Sequence, residues 1–280
     1  MRNKKNNANL SNKKRAVEKN TAPQSKKNRR KHTKKKKINI AKILKWTCLI
    51  FVIAGVIAFL FTTPIFNIKE IQVAGNEQVS TEEIQSLSQI QLDENIFRNL
   101  KSNIINNVKE NAYIDNVTVK RILPDKIQIQ VQERQVRFML KLLNSYIYIS
   151  SQGYLLEISE TPKQVPIIEG ISTPEEELTV GNRLNVQDLE ALQTVLQIMS
   201  NSEENEISQF ITSINIQNKN DYTIYFESKS KTAHLGDATN LDTRILYVKA
   251  ILEAEEGKVG EIFVNGDLND DFKPFFREKI

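Results

Sequence analysis

Cysteine, histidine and glycine-rich motifs are scarce in this sequence, and their scarcity limits the chemistry that the chain can carry. Of its 280 residues, one is a cysteine, Cys48, and two are histidines. A single thiol cannot form a disulfide within the chain. Cys48 lies in an apolar segment, and the chain beyond it contains no cysteine that could act as a nucleophile. No Gly-x-Ser-x-Gly turn and no glycine-rich phosphate loop appear. We therefore expect neither a disulfide framework nor a nucleophile-elbow or nucleotide-binding site.

Metal ligands and catalytic pairs have little support as well. Metal sites usually combine His, Cys or carboxylates at set spacings, and His234 stands alone in a predicted strand. The acidic runs at residues 175–177 and 203–204 are most simply solvated loops. Two carboxylates that meet only in the fold stay open as a glycosidase pair. The prediction is nevertheless a non-enzyme with no metal, no cofactor and no small-molecule substrate.

Charge is divided unevenly along the chain. Residues 1–45 carry 18 Lys and Arg against the single acid Glu18, a net charge of +17, whereas the remainder carries 21 against 33 acids, a net charge of −12. Residues 1–37 contain almost no large apolar side chain, so we predict a disordered basic tail. Its Lys and Arg clusters would suit nucleic acid or anionic lipid. Because an apolar run follows, we favour a topology signal near the membrane and predict no nucleic-acid partner.

The apolar run predicts a membrane anchor. No charged residue lies between Lys45 and Lys69, and a helix of that length would reach about 35 Å, enough to cross a hydrocarbon core of about 30 Å. Trp46 lies at its start, where membrane proteins often place aromatic side chains. The run is longer than the apolar core of a signal peptide and lacks a convincing small-residue cleavage site. We predict an uncleaved transmembrane helix at residues 46–66, with the tail in the cytoplasm and the following residues outside.

Residues 67–137 read as a small α/β module. Ile71 and Val73 alternate with polar residues as in a strand, and Ser80 with Glu83 forms a capping-box pattern at a helix start. A second helix is predicted at residues 95–110. Two strands follow, at 114–122 and 126–134, on either side of a Leu-Pro-Asp turn. The order is strand-helix-helix-strand-strand.

The residues that fill this order resemble a POTRA domain of the FtsQ/DivIB family of bacterial cell-division proteins. The similar stretches are FNIKEIQVAGNEQVSTEEI, just beyond the apolar run, and AYIDNVTVKRILPDKIQIQVQERQV. The second resembles the family's strand-Arg-x-x-Pro-x-x-strand-Glu-Arg pattern through Arg121, Pro124, Glu133 and Arg134. The tail, the single anchor and the later modules extend the resemblance along nearly the whole chain.

The resemblance implies an α+β protein. Its single transmembrane helix is followed by a POTRA domain at residues 67–137, a mixed β domain with two helices at residues 138–268, and a C-terminal tail at residues 269–280. In the β domain, Ser151, Gln152 and Gly153 predict a hairpin turn, and Asn185 with Asp188 can start the first helix. The second helix is predicted at residues 240–253. Strands are predicted at residues 207–216, 222–227, 231–235 and 260–268.

The resemblance also implies a function as a scaffold. Proteins of this family are bitopic components of the divisome, and the implied partners are FtsL-like and DivIC/FtsB-like bitopic proteins and a septal penicillin-binding protein. We therefore predict a single-pass protein of the cell membrane at the division septum, which stabilises these partners and links them to septal peptidoglycan synthesis. A membrane-anchored receptor or wall-associated scaffold unrelated to division is the alternative.

The partner site is predicted at the C-terminal edge of the β domain. The strand at residues 261–265 precedes a polar tail, so it could remain an open sheet edge that receives a partner strand. Alternatively, the strand completes the core and the tail packs over the edge through Phe272 and Phe275. The residues predicted to bind the partner are Arg244, Tyr247, Glu261, Ile262, Phe263, Val264 and Asn265.

Overall fold

The structure is a computed structural model that describes residues 39–268 and 272–279. Most of the predicted basic tail, together with residues 269–271 and 280 of the predicted C-terminal tail, lies outside the described residues.

The first helix, α1 (Ile40–Thr62), is the one described helix that is long and apolar enough to cross a membrane. It overlaps most of the predicted segment of residues 46–66, but it begins at Ile40 and ends at Thr62. Thr63 has an extended backbone and precedes Pro64, which supplies no N–H and disfavours a helical residue before it. Residues 64–66 therefore form a short 3-10 turn. The absence of charge continues to Ile68, but the helix does not.

The first sheet has three strands and its own apolar core. Its elements are β1 (Glu70–Ala74), helices α2 (Thr81–Ser88) and α3 (Lys101–Val108), β2 (Ile114–Ile122) and β3 (Lys126–Glu133). The strand order is β1-β3-β2, with β1 parallel and β2 antiparallel to β3. Alternate residues of β3, namely Ile127, Ile129 and Val131, are buried with Ile84 of α2 and Ile104 of α3. The predicted order of elements is confirmed.

Side-chain hydrogen bonds decide where the two helices of this module begin. Ser80 accepts a hydrogen bond from the N–H of Glu83 at 3.1 Å, which confirms the predicted cap of α2. The predicted start of the next helix at Asn95 is wrong. The Asn95 side chain accepts from the N–H of Phe97 (3.0 Å) and donates to the carbonyl of Leu60 (2.9 Å), so these residues form a turn and α3 starts six residues later.

The second sheet has nine strands. They are β4 (Val136–Lys141), β5 (Tyr146–Ser150), β6 (Leu155–Ser159), β7 (Ile167–Glu169), β8 (Ser213–Asn215), β9 (Tyr222–Phe226), β10 (Lys231–Gly236), β11 (Gly260–Phe263) and β12 (Phe275–Glu278). Helix α4 (Val186–Glu204) lies between β7 and β8 in the chain, and α5 (Leu241–Ala254) between β10 and β11. The sheet order is β12-β11-β10-β9-β8-β7-β4-β5-β6.

One continuous core joins this sheet to its helices. It contains Ile198 of α4, Ile245 of α5, Ile224 of β9 and Ile262 of β11, all fully buried. Because β10 and β11 are parallel, the chain needs a crossover between them, and α5 provides it. The mixed β domain with two helices is therefore observed, although the strands at residues 207–216 and 260–268 are shorter than predicted.

A buried carboxylate fixes the start of α4. Asn185 caps the helix as predicted, accepting from the N–H of Asp188 at 2.9 Å. The Asp188 carboxylate is 3% exposed and accepts hydrogen bonds from the N–H and hydroxyl groups of Ser172 and Thr173. Burial raises the pKa of this carboxyl group, but these hydrogen bonds outweigh burial and leave the pKa below its ordinary value.

The two sheets are joined by a very short connection. Only Arg134 and Gln135 separate β3 from β4. The Arg134 guanidinium donates to the carbonyls of Ala112 (2.8 Å) and Ile114 (2.7 Å) and lies 3.9 Å from the ring centroid of Tyr154 in the second sheet's module. Whether residue 137 also marks a folding boundary stays a prediction.

Candidate partner-binding edge

Strand β11 is an interior strand, so the prediction that it forms an open edge is wrong. It pairs in parallel with β10 and in antiparallel with β12, which comes from the predicted tail. The alternative, in which the tail packs over the edge, describes the structure. The aromatic pair Phe275 and Phe276 favours an extended strand, and the register places these residues opposite Phe263 and Ile262.

The register of β12 decides which of its backbone groups are free. Lys279 donates its N–H to the carbonyl of Val259 at 2.9 Å. Because antiparallel pairs alternate, the backbone groups of Arg277 also face β11, whereas those of Phe276 and Glu278 face away. Within residues 39–268 and 272–279, no strand pairs with that outer side. Strand β12 is therefore the open edge at this end of the sheet.

The opposite side of β11 is closed by β10. Gly260 donates its N–H to the carbonyl of Ser230 at 3.2 Å, and Val264 donates to the carbonyl of His234 at 3.0 Å. The even-numbered residues of β11 thus face β10. The odd-numbered ones, Glu261 among them, face β12.

Side chains hold β12 against β11 through charge. Glu261 forms ion pairs with Arg277 and, at 3.0 Å, with Lys279. Hydrogen bonds from Arg277 and then Lys279 lower the pKa of the Glu261 carboxyl group below its ordinary value. The Glu261 side chain is 15% exposed, whereas its partners are more than 60% exposed. Each ion pair therefore stabilises the pairing of β12 with β11 only modestly.

A stack of rings adds apolar contact at the same place. Phe263 lies between His234, whose ring centroid is 4.7 Å away, and Phe275, at 4.9 Å, and both pairs are nearly parallel. The Arg277 guanidinium lies 4.6 Å from the Phe263 centroid. His234 is itself paired through Nδ1 with Asp221 at 2.8 Å. These contacts pack the His234 ring against β11.

A glycine lets the two strands approach. A Cβ atom on Gly260 would overlap the carbonyl oxygen of Arg277 and lie 2.7 Å from Cζ of Phe276. Strand glycines often mark such close approaches. Gly260, Arg277 and Lys279 were absent from the predicted site. The signal available in the sequence was the adjacent aromatic pair Phe275 and Phe276, since aromatic residues favour strands.

The predicted site residues occupy several environments. Ile262 and Val264 are completely buried in the core, and Arg244 is 4% exposed, with its guanidinium donating to the carbonyls of Val264 and, at 2.9 Å, Thr239. Arg244 therefore anchors the end of β11 and does not offer a free cation. The residues that remain exposed are Tyr247 and Asn265.

The described residues form no group of three or more His, Cys, Asp or Glu side chains that could hold a metal ion. The absence of catalysis stays a prediction.

Among the described residues, one helix long and apolar enough to cross a membrane precedes a three-stranded module and a nine-stranded sheet. This arrangement is that of a single-pass membrane protein with two folded modules. The family model described as "POTRA domain, FtsQ-type" matches residues 66–134. The cell division protein DivIB of Clostridium botulinum (strain Hall) is 28% identical over 225 residues, which cover 80% of this chain and 86% of the relative. The cell division protein FtsQ of Syntrophotalea carbinolica is 28% identical over 47% of this chain and 46% of its own length.

A solved structure of the major extracytoplasmic domain of DivIB from Geobacillus stearothermophilus covers 43% of this chain and 94% of that domain, at 11% identity and a TM-score of 0.28. A similarity of that size supports no conclusion. The family model and the curated relatives are more informative: residues 66–134 match an FtsQ-type POTRA domain, and four fifths of the chain is similar to DivIB cell division proteins.

Proposed function

We propose that the protein is a bitopic scaffold of the divisome. It binds and stabilises FtsL-like and DivIC/FtsB-like partners and links them to a septal penicillin-binding protein. The similarity to DivIB and FtsQ supports the division role, since these relatives are named cell division proteins. The apolar helix α1 supports the bitopic arrangement. The basic residues before it support a cytoplasmic N-terminus under the positive-inside rule, with both sheets outside the cell membrane at the septum.

The open edge of β12 carries the proposal for the partner site. An edge strand with unpaired backbone groups can accept a further strand, whose main-chain hydrogen bonds supply affinity. We propose that a segment of the DivIC/FtsB-like partner pairs with the outer side of β12. Glu261 and Phe263 would act by holding β12, and Arg244, Ile262 and Val264 by fixing β11. Tyr247 and Asn265 would contact the partner directly.

A proline at Glu278 tests this arrangement. Its N–H faces away from β11, so proline removes one hydrogen bond offered to a partner and leaves the internal ladder intact. We expect Glu278→Pro to abolish or strongly weaken co-purification with the DivIC/FtsB-like partner while the melting temperature stays unchanged. Glu278→Ala is the matched control, because it removes the same side chain and keeps the N–H group.

Lys279→Pro is the contrasting variant. Its N–H bonds to the carbonyl of Val259, so this proline should loosen β12 itself and increase amide exchange at Arg277. Normal partner binding by a folded Glu278→Pro protein would show that the partner does not add to this edge.

Orientation and the rival function have separate tests. Protease added to cells without a wall should digest the chain beyond about residue 70 and spare the basic tail; digestion of the tail alone would reverse the orientation. A fluorescent fusion should concentrate at the division site. An even distribution along the membrane, with no co-purification of division partners, would favour a receptor or wall-associated scaffold.

A further inference from the structure

The exposed apolar side chains of the POTRA module are confined to a few segments. Within residues 66–134, all of which the structure describes, the exposed large apolar residues are Leu92 (58% exposed), Leu100 (59%), Ile122 (41%) and Leu123 (56%). Ile65, directly before the module, is 59% exposed. We call these five residues the apolar rim. Isolated exposed apolar residues need no explanation, but their concentration does. The rim residues lie in three segments: the chain before β1, the loop between α2 and α3, and the end of β2 with the turn that follows it.

Hydrogen bonds bring those three segments together. The N–H of Ile68 donates to the carbonyl of Glu94 at 2.9 Å, which joins the chain after Ile65 to the loop that holds Leu92. The N–H of Lys69 donates to the carbonyl of Asp125 at 2.8 Å, two residues beyond Leu123. Arg121 joins the end of β2 to the loop between α2 and α3, since its guanidinium donates to the carbonyl of Asn99, next to Leu100, at 2.5 Å. The rim therefore lies at one end of the module.

That end is continuous with α1. Asn95 donates to the carbonyl of Leu60 in the last turns of the helix. The ring of Phe97 lies 6.0 Å from that of Phe61 and 5.4 Å from that of Phe66. Ile65 follows the helix end, Thr62, by three residues and so lies within about 10 Å of it. The polar interfacial layer of a bilayer is roughly 5–8 Å thick on each side, so Ile65 is within reach of that layer if α1 crosses the membrane.

The charges around the rim suit lipid headgroups. Arg98 and Lys101, both exposed, lie on either side of Leu100 in the chain. Lys120 is also exposed, and Lys69 keeps a 66% exposed side chain although it pairs with Asp125 at 3.6 Å. The exposed Asp93 opposes this positive charge. Apolar side chains flanked by Lys and Arg are typical of surfaces that insert shallowly into a membrane interface.

We propose that the apolar rim inserts into the interfacial layer of the same membrane that α1 crosses, giving the POTRA module a second, direct contact with lipid. The inference rests on the proposed function in one respect, that α1 is a membrane anchor. Continuity with that anchor, and the restriction of exposed apolar residues to this end, favour lipid over a protein partner as the occupant.

Lipid-dependent quenching tests the rim in the full chain. Cys48 is changed to Ser, and an environment-sensitive fluorophore is attached at Leu123→Cys or, separately, Leu100→Cys. The protein is reconstituted into phosphatidylcholine vesicles, with and without phosphatidylglycerol, that contain a lipid bearing a quencher just below its headgroup. We expect a blue-shifted emission and loss of most of the fluorescence at both sites. Leu143→Cys is the control, because Leu143 is 96% exposed on the β4–β5 turn and should be neither shifted nor quenched.

Each other result identifies what is wrong. Emission at Leu123 and Leu100 that matches the Leu143 control overturns the rim proposal. A blue shift without quenching means that protein, such as a second copy of the chain, covers the rim, which also overturns it. If alkaline carbonate extracts the protein from the vesicles, α1 is not a membrane anchor, and both the anchoring and the rim proposal are wrong. If the protein stays in the vesicles but the labels are unquenched, only the rim proposal is wrong. Thermal melts check that each labelled variant is folded.

Discussion

Replacing Gly260 with alanine should release β12 without unfolding the sheet. Alanine recovers about 0.5–1 kcal/mol of backbone entropy relative to glycine in a strand. Its Cβ atom, however, would overlap a backbone oxygen of Arg277, which no rotamer change can relieve. Overpacking of this kind costs about 1–3 kcal/mol. The expected net loss is about 1–2 kcal/mol, which multiplies the population of the detached strand by about 5–30.

Amide hydrogen exchange measures this population directly. The N–H groups of Arg277 and Lys279 are protected only while β12 is paired, so in the variant they should exchange about 5- to 30-fold faster. Protection at Ile224, in the middle of the sheet, should not change, because its bonds do not involve β12. Glu278→Ala serves as the control, since it changes an exposed side chain of the same strand and should leave both rates unaltered.

Two outcomes would refute the reasoning. Unchanged exchange at Arg277 and Lys279 would mean that the strands tolerate a Cβ atom at Gly260 and do not approach as closely as described. Equal acceleration at Ile224 would mean that β12 opens only when the whole sheet opens, so that it is part of the core and not a separate edge element.

Three further predictions concern single side chains. Hydrogen bonds from Arg277 and Lys279 lower the pKa of the Glu261 carboxyl group in the folded protein. The ion pairs of Glu261 therefore stabilise β12 fully above the unfolded pKa of about 4.3, and this stabilisation is lost as the pH falls through the lower pKa of the folded protein. Amide exchange in β12 should rise in that acidic range, and Glu261→Gln should remove this pH dependence. Asp188→Asn should lower stability by about 2–4 kcal/mol in chemical denaturation, because an amide cannot accept all of the hydrogen bonds that the buried carboxylate accepts. The control Glu190→Gln should have little effect, because the Glu190 carboxylate forms only an exposed ion pair, with Lys219. Folded His234→Gln protein should support division in a complementation assay if His234 is structural, and failure would reopen a catalytic or contact role.

Local signals predicted the POTRA module well because its residues satisfy local rules. Strict alternation in β3 buries Ile127, Ile129 and Val131, and the Ser80 cap forms as the capping pattern indicates. The boundaries were missed where distant contacts decide them. The turn at Asn95 depends on the carbonyl of Leu60, which is 35 residues away in the chain. Periodicity within residues 95–110 contains no information about that bond.

The candidate edge shows a different limit. The sequence placed a strand near Glu261 and an apolar pattern on Ile262 and Val264, and both are observed. It did not show which strand is outermost, because that depends on whether a four-residue segment beyond Gly266 pairs back. Such a segment is too short for periodicity to distinguish it from an irregular tail. The ion pairs between Glu261 and β12 appear only once the register is known.

The two-residue connection between β3 and β4 has a consequence for the orientation of the two sheets. A long flexible linker would let the second sheet turn freely relative to the first, but Arg134 fastens this connection to both modules through its carbonyl bonds and its contact with Tyr154. The direction of the second sheet relative to the three-stranded module is therefore set by folded structure. A change at Arg134 would disturb both modules, although this residue lies in neither sheet.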